Sequence, residues 1–556
     1  MIRSLQYKYS TYLGITIALL IMLSKFFILD IDIPKFEIAF YSPFDELFYV
    51  RYAYNQFFYN ELFFDSSPSI LLRPVITNLA SYIGLIFFGD TYQGLRFGSL
   101  LLGVISLLLF WKILLKTTQN IKLIVILPMF LAINFNFSLA NIVVEPTMAR
   151  TAMMLLSLWI LIRTNQLKDI TLKHSFIVGF TICLLFLITY PTNFFILPAS
   201  LLSFGVILYK RKPENEELTT IIKPLTIFVI GYFLAFITVL SIHQFIGGDI
   251  FETASRSGNY SARVSFQLSQ LINNFIGIAN ANFIRFNSLL SIIFLISVSI
   301  FAYSLKNKKI PNIPAATFGI FLFLFILQTV FINDYAQRKL VILLPLILLF
   351  IASQMELILE KKLSGGKILV IFAVILFPIL IILFQYKIYP KQLLNSPVIF
   401  VSHTATAIWM IFAIIGLRFN KFKKAAATFG FLLLFIPELY LSHHYFIQNR
   451  TYHYKKALIS LNQYNNRQFT GGMSIGYQLY NKIECKINPY AYYNKTSEYQ
   501  ERIKEAADEN SGDSYSIGYC KDLEFYENLG FQPVKTLMPK EKTVREFDVI
   551  LYKYQK

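Results

Sequence analysis

Apolar runs of about twenty residues recur along this 556-residue chain, separated by short polar gaps. Inside a bilayer every backbone N–H and C=O must be satisfied within the segment, so such runs fold as helices that cross the roughly 30 Å hydrocarbon core. Composition agrees, with 55% hydrophobic and 15% charged residues and a mean hydropathy of +0.54. A set of soluble domains is thereby excluded. Spans are expected near 11–30, 97–115, 122–140, 149–163, 175–190, 192–209, 221–245, 288–305, 313–332, 339–356, 367–385, 396–417 and 425–442, about thirteen in all. The stretch 175–209 exceeds one crossing, and Tyr190-Pro191 supplies the break.

The formal net charge of +19 does not mark a nucleic-acid surface, because the bases punctuate the apolar runs. Lys112 and Lys116, Arg163 and Lys168, Lys210-Arg211-Lys212, Lys306 with Lys308-Lys309, Lys361-Lys362, and Lys421 with Lys423-Lys424 fall in alternate gaps. By the positive-inside rule those gaps face the cytoplasm. Arg3 and Lys8 precede the first apolar stretch, Tyr12–Leu29, which no small-residue cleavage site follows. It reads as an uncleaved first helix of a multi-pass plasma-membrane protein with its N-terminus inside. A crossing at residues 74–89 would invert every later loop, so this run is expected to be re-entrant or interfacial. The first outer loop then covers about 31–96. The other outer segments are 141–148, 246–287, 333–338, 386–395 and the tail.

From about residue 443 the chain turns polar. HYKKALISLNQYNN and SEYQERIKEAADEN are helical candidates, and FDVILYKY near the end reads as a strand. The fold expected is therefore an all-α polytopic membrane protein, residues 1–442, followed by a small extracytoplasmic α/β domain, residues 443–556. Cys485 and Cys520 lie in the tail, where a bridge would be permitted and would stabilise it by about 3–4 kcal/mol.

Two carboxylates, Asp45-Glu46, stand in FDELFYVRYAYNQF just after the first span. At a membrane boundary such a pair is costly unless it meets water, a cation or a substrate. Farther along come SSPSILLRPVITNLASYIGLIFFG, then an Arg at the start of the next span. In this order the loop resembles the GT-C superfamily of integral-membrane glycosyltransferases, closest to the branch of protein O-mannosyltransferases and lipid A aminoarabinose transferase. The matching residues are Asp45-Glu46, Arg73-Pro74, Gly89 and Arg96. NIVVEPTMARTAMMLLSLWIL places Glu145 where the family has a second acid, and DYAQRKLVILLPLILLFIA supplies Arg338 and Pro345. The chain departs from the pattern at Leu72, where some members carry a metal-binding acid, at Val75 and at Tyr190. No metal and no other cofactor is expected.

The resemblance implies transfer of a sugar from a polyprenyl-phosphate donor to a lipid, glycan or protein acceptor on the outer face of the membrane, with inversion. Asp45 would be the general base, Glu46 its neighbour that orients it or caps the local helix, and Glu145 an acceptor-binding or tuning group. Arg73, Arg338 and Arg96 would serve the donor phosphate, for which guanidinium forks are suited. Blander readings exist: Arg73 and Arg338 could snorkel to headgroups, and Glu145 before a helix is ordinary dipole complementation. His243, His403, His443 and His444 show no metal-ligand spacing. An en bloc ligase or polymerase using a diphosphate-linked oligosaccharide would share the layout. A lipid-linked sugar flippase would be expected to show repeated halves and midplane charges, whereas the notable charges here cluster at one surface.

Overall fold

A computed structural model describes residues 2–32, 46–47, 49–63, 74–189, 195–211, 219–248, 287–306, 312–332, 341–359, 397–418, 429–470, 474–481, 484–485, 497–510, 512–540 and 547–555, with short pieces at 269–271, 273 and 376–381. The helical body begins with α1 (Ile2–Ser24), whose last turn tightens over Lys25–Ile28, then α2 (Arg51–Tyr59), α3 (Val75–Phe88) and α4 (Tyr92–Thr117). It continues through α5 (Ile121–Ile133), α6 (Phe135–Asn141), α7 (Pro146–Asn165), α8 (Leu172–Ile188), α9 (Ile196–Arg211) and α10 (Thr219–Phe245). The last body helices are α11 (Ser288–Lys306), α12 (Ile313–Ile332), α13 (Leu343–Leu359), α14 (Pro397–Arg418) and α15 (Phe435–His443). Helix thus occurs at every expected span; of 367–385 only 376–381 are described, and they too are helical. Among the described residues four helices are long and apolar enough to cross a membrane, or five if the bent pair α5–α6 is one span.

The body is apolar outside as well as inside, as a lipid-solvated bundle requires. On α10, Phe233, Ile237 and Phe245 face outward while Gly231, Ala235 and His243 pack inward. α3 has the same inverted pattern: Leu79, Ile86 and Phe87 are exposed, whereas Thr77, Asn78, Ser81 and Gly84 are buried. At fourteen residues it is about 21 Å long, against a hydrocarbon core of roughly 30 Å. Its small-residue face lies directly on α4. A Cβ at Gly84 would stand 2.1 Å from the Gly94 carbonyl oxygen, and one at Gly98 2.4 Å from the Ala80 carbonyl carbon. Only glycine lets these backbones meet so closely.

The tail adds α16 (His453–Ile459), α17 (Ser497–Glu509), α18 (Leu523–Asn528) and a five-stranded sheet. The strands are β1 (Gln468–Thr470), β2 (Glu484–Cys485), β3 (Ser514–Tyr519), β4 (Phe531–Met538) and β5 (Val549–Tyr554), in the order β2-β1-β3-β5-β4. β1 is parallel to β2 and β3, and β5 is antiparallel to β3 and β4. In β3, large Tyr515, Ile517 and Tyr519 alternate with small Ser514, Ser516 and Gly518, the period-2 pattern of a strand covered on both faces. Gly518 makes room for the ring of Tyr526, which would lie 2.2 Å from a Cβ there.

The sheet order bears on the bridge that the sequence left open between Cys485 and Cys520. Phe469 of β1 stands opposite both Cys485 of β2 and Tyr515 of β3, and Cys520 follows the end of β3. The two cysteines are therefore about 10 Å apart across the sheet and roughly 15 Å along it. A disulfide needs Cα atoms within about 7 Å. Cys520 is a free thiol.

Candidate active site

Glu46 opens the first described turn after the first span, with its carbonyl accepting from the Val50 N–H at 3.4 Å. Its side chain is fully buried. Both carboxylate oxygens receive the Nε–H of Arg96, at 3.0 and 3.1 Å, and Oε1 also accepts from the Val144 N–H at 3.3 Å. Arg96 lies one turn into α4, a helix started by the Thr91 hydroxyl, which accepts from the Gly94 N–H at 3.0 Å. Its Nη1 donates to the carbonyls of Leu29 and Ile31 at 2.8 and 2.6 Å, and its guanidinium stacks 4.2 Å over the Tyr92 ring. Two buried charges are tolerable only when paired and otherwise hydrogen-bonded, and this pair is both. The node ties four segments together: the end of α1, the first loop, α4 and the stretch before α7.

Glu145 follows Val144 directly. It is the N-cap of α7, with Pro146 at the first helical position, and its Oε2 accepts from the Thr147 hydroxyl at 2.9 Å. It is 3% exposed. The carboxylate complements the positive end of α7 while sitting one residue from the Glu46 node.

The tail closes over this end of the body. Leu47, Val50, Tyr54, Leu85, Tyr92 and Val144 share one apolar cluster with Leu458, Phe469, Tyr477, Ile517 and Leu551. Polar contacts seal its rim. Arg51, fully buried on α2, donates to the side-chain oxygen of Gln478, whose Nε2 donates to the Tyr59 hydroxyl at 3.1 Å. The Tyr480 hydroxyl accepts from the Tyr92 N–H at 3.0 Å, and Tyr480 itself sits at φ 67°, a left-handed conformation unusual for tyrosine. Asp32 caps α16, accepting from the N–H groups of His453 and Tyr454 and from the Thr451 hydroxyl. Asp30 pairs with Lys455 at 2.8 Å. Burial beside Tyr480 pushes the Asp90 carboxyl up to about 8, against the lowering effect of a hydrogen bond from the Tyr480 backbone.

Crystal structures of ArnT from Cupriavidus metallidurans superpose on nearly the whole chain. The apo structure is 11% identical, covers 98% of this chain and 97% of its own, and gives a TM-score of 0.52. The structure bound to undecaprenyl phosphate is 12% identical, with the same coverage and a TM-score of 0.51. The chain has the ArnT fold. No protein-family model matches it, and no curated protein matches it by sequence. The helical membrane body with a small α/β tail domain expected from the sequence is thus met at the level of fold.

Within this ArnT fold, Glu46, Arg96 and Glu145 come together at one end of the body, on the side that the tail covers. Asp45, Arg73 and Arg338 lie outside the described residues. Among the described residues no group of three or more His, Cys, Asp or Glu side chains could hold a metal. Arg51, Asp30, Asp32, Asp90, Gln478 and Tyr480 were not singled out by sequence. Arg51 carried a signal, as a lone base in an aromatic segment six residues after Asp45; the rest depend on partners hundreds of positions away. At the other end, Arg211 donates to the carbonyls of Thr164, Leu167 and Lys168, so two of the basic gaps meet there.

Proposed function

We propose that this protein is a membrane glycosyltransferase that moves a sugar, with inversion, from a polyprenyl-phosphate donor to a lipid, glycan or protein acceptor on the outer face of the membrane. The observation that carries the reading is the Glu46–Arg96–Val144 node inside an ArnT fold. One of the similar structures is bound to undecaprenyl phosphate, the chemistry of the donor's carrier.

The carboxylate oxygens of Glu46 are already occupied by Arg96 and the Val144 amide, which leaves its covalent neighbour Asp45 as the base for the acceptor hydroxyl. In the step, the acceptor oxygen bonds to the sugar's anomeric carbon and its proton passes to Asp45. The bond from that carbon to the phosphate oxygen breaks, and polyprenyl phosphate leaves with the electron pair. General-base help of this kind is worth about 10²–10⁴ in rate. Arg73 and Arg338 are assigned to the leaving phosphate. Arg96, with Nε and Nη1 engaged by Glu46 and two carbonyls, is assigned to hold Glu46 rather than the donor. Glu145 is assigned to the acceptor side. The covered end would be the outer one, with the tail in the extracytoplasmic space and the end carrying Arg211 in the cytoplasm.

Asp45→Asn, checked for normal insertion, should lose nearly all transfer from a polyprenyl-phosphate sugar to membrane or glycan acceptors. Turnover near wild type would remove Asp45 from the role. Transfer that survives a chelator would favour the monophosphate donor over a metal-assisted diphosphate one.

A further inference from the structure

Helix α5 breaks at Asn134 and restarts as α6 with a bend of 59°. A break inside an apolar body frees backbone groups that lipid cannot satisfy, so side chains must reach them. Here they arrive from both sides. Lys25, at the end of α1 and buried, donates from Nζ to the Ala132 carbonyl at 2.7 Å. Glu438 of α15, also buried, accepts the Phe135 N–H on Oε2 at 2.9 Å and the Asn287 side-chain amide on Oε1 at 2.9 Å. Asn134 itself accepts the Phe137 N–H at 3.0 Å. An amine donor thus stands at the carboxyl end of one half-helix and a carboxyl acceptor at the amino end of the next, each supplying the partner that the break takes away.

These contacts close a circuit. From the break, α6 leads to Val144, whose N–H holds Glu46; Glu46 holds Arg96; Arg96 holds the carbonyls of Leu29 and Ile31, a turn beyond Lys25. Lys25 then returns to the break through Ala132. We propose that Lys25 and Glu438 are positioning residues: by clamping the two sides of the break they set where Val144 meets Glu46. Neither is assigned to donor or acceptor. Asn287, held by Glu438, also bonds the Leu434 carbonyl and so carries the start of α11 with the clamp.

Because this role matters for catalysis only if the chain is the transferase proposed above, the test has one arm that needs no turnover. Hydrogen exchange over residues 134–145 should accelerate in full-length Glu438→Leu and Lys25→Met in detergent, and far less in Glu438→Gln, whose amide oxygen can still accept from Phe135. In transfer assays Glu438→Leu should lower kcat roughly 10- to 100-fold, the scale of an ångström-sized displacement, with the donor KM little changed. Glu438→Gln should recover much of that loss. In a Glu46→Gln background the further effect of Glu438→Leu should shrink, since both act through one node. Unchanged exchange in 134–145, or losses that simply multiply with Glu46→Gln, would overturn the clamp and leave the proposed function standing. Wild-type protein that transfers no sugar would defeat the proposed function while the exchange result still judged the clamp.

Discussion

The tail sheet has two end edges, one at the carboxyl ends of its parallel strands β1 and β3 and one at their amino ends, and they do different things. At the carboxyl edge of β1, the chain runs into Ser474–Tyr477 and then Gln478 and Tyr480, which lodge against Arg51, Tyr59 and Tyr92 of the body. At the amino edge of β3, Asp513 meets Lys553 at 3.0 Å with both side chains about 40% exposed. One edge exchanges hydrogen bonds with a desolvated surface, and the other exchanges them with water. A polar contact is consequential where losing it leaves a partner buried, and minor where water can replace it.

Substitutions should separate the edges in order of size. The largest effect is expected beneath the docked edge, at Arg96→Met. It strands the Glu46 carboxylate in a dry site and should cost about 3–5 kcal/mol of stability by denaturant unfolding in detergent. The double variant Glu46→Leu/Arg96→Met should be milder than that single one, because no charge is left unpaired. A single variant as stable as wild type would mean that water reaches the node.

Next comes a pH effect at the same edge. The Asp90 carboxyl is raised from 3.8 to about 8, so the folded protein holds a proton that the unfolded chain releases. The sign follows from linkage: this contribution to stability is full below about pH 4 and is lost as pH rises to about 8. Melting temperatures taken across that window should fall for wild type more steeply than for Asp90→Asn. Equal slopes would exclude Asp90 as the titrating group. The smallest effect belongs to the free edge. Asp513→Asn should leave the melting temperature within error, and a clear drop would mean that this edge, too, is covered by something.

The helical body was legible because lipid imposes a single solution on each apolar run. The helix at 75–88 was legible from its apolar run, SSPSILLRPVITNLASYIGLIFFG. Strand β5 and helices α16 and α17 were readable from local pattern. The order of the sheet was not, which is why a Cys485–Cys520 bridge stayed open in the sequence until β1 came between their strands. Glu46 was visible as an acid, but its use was hidden, since nothing near it in sequence says that Arg96 and Val144 will occupy it. Lys25 and Glu438 were hidden for a different reason. Each sits in an apolar run that reads as an ordinary span, and only the break at Asn134 gives them work.

The cap that Asp32 places on α16 joins residues 419 positions apart. A ribosome adding about 5–20 residues per second needs roughly 20–80 s to make the intervening chain. For that interval the first loop waits in the membrane without the tail that covers it, and without α15, which brings Glu438 to the break. The end of the protein with the acidic pair is therefore completed last, and a stalled or shortened chain would insert its helices without ever finishing that end.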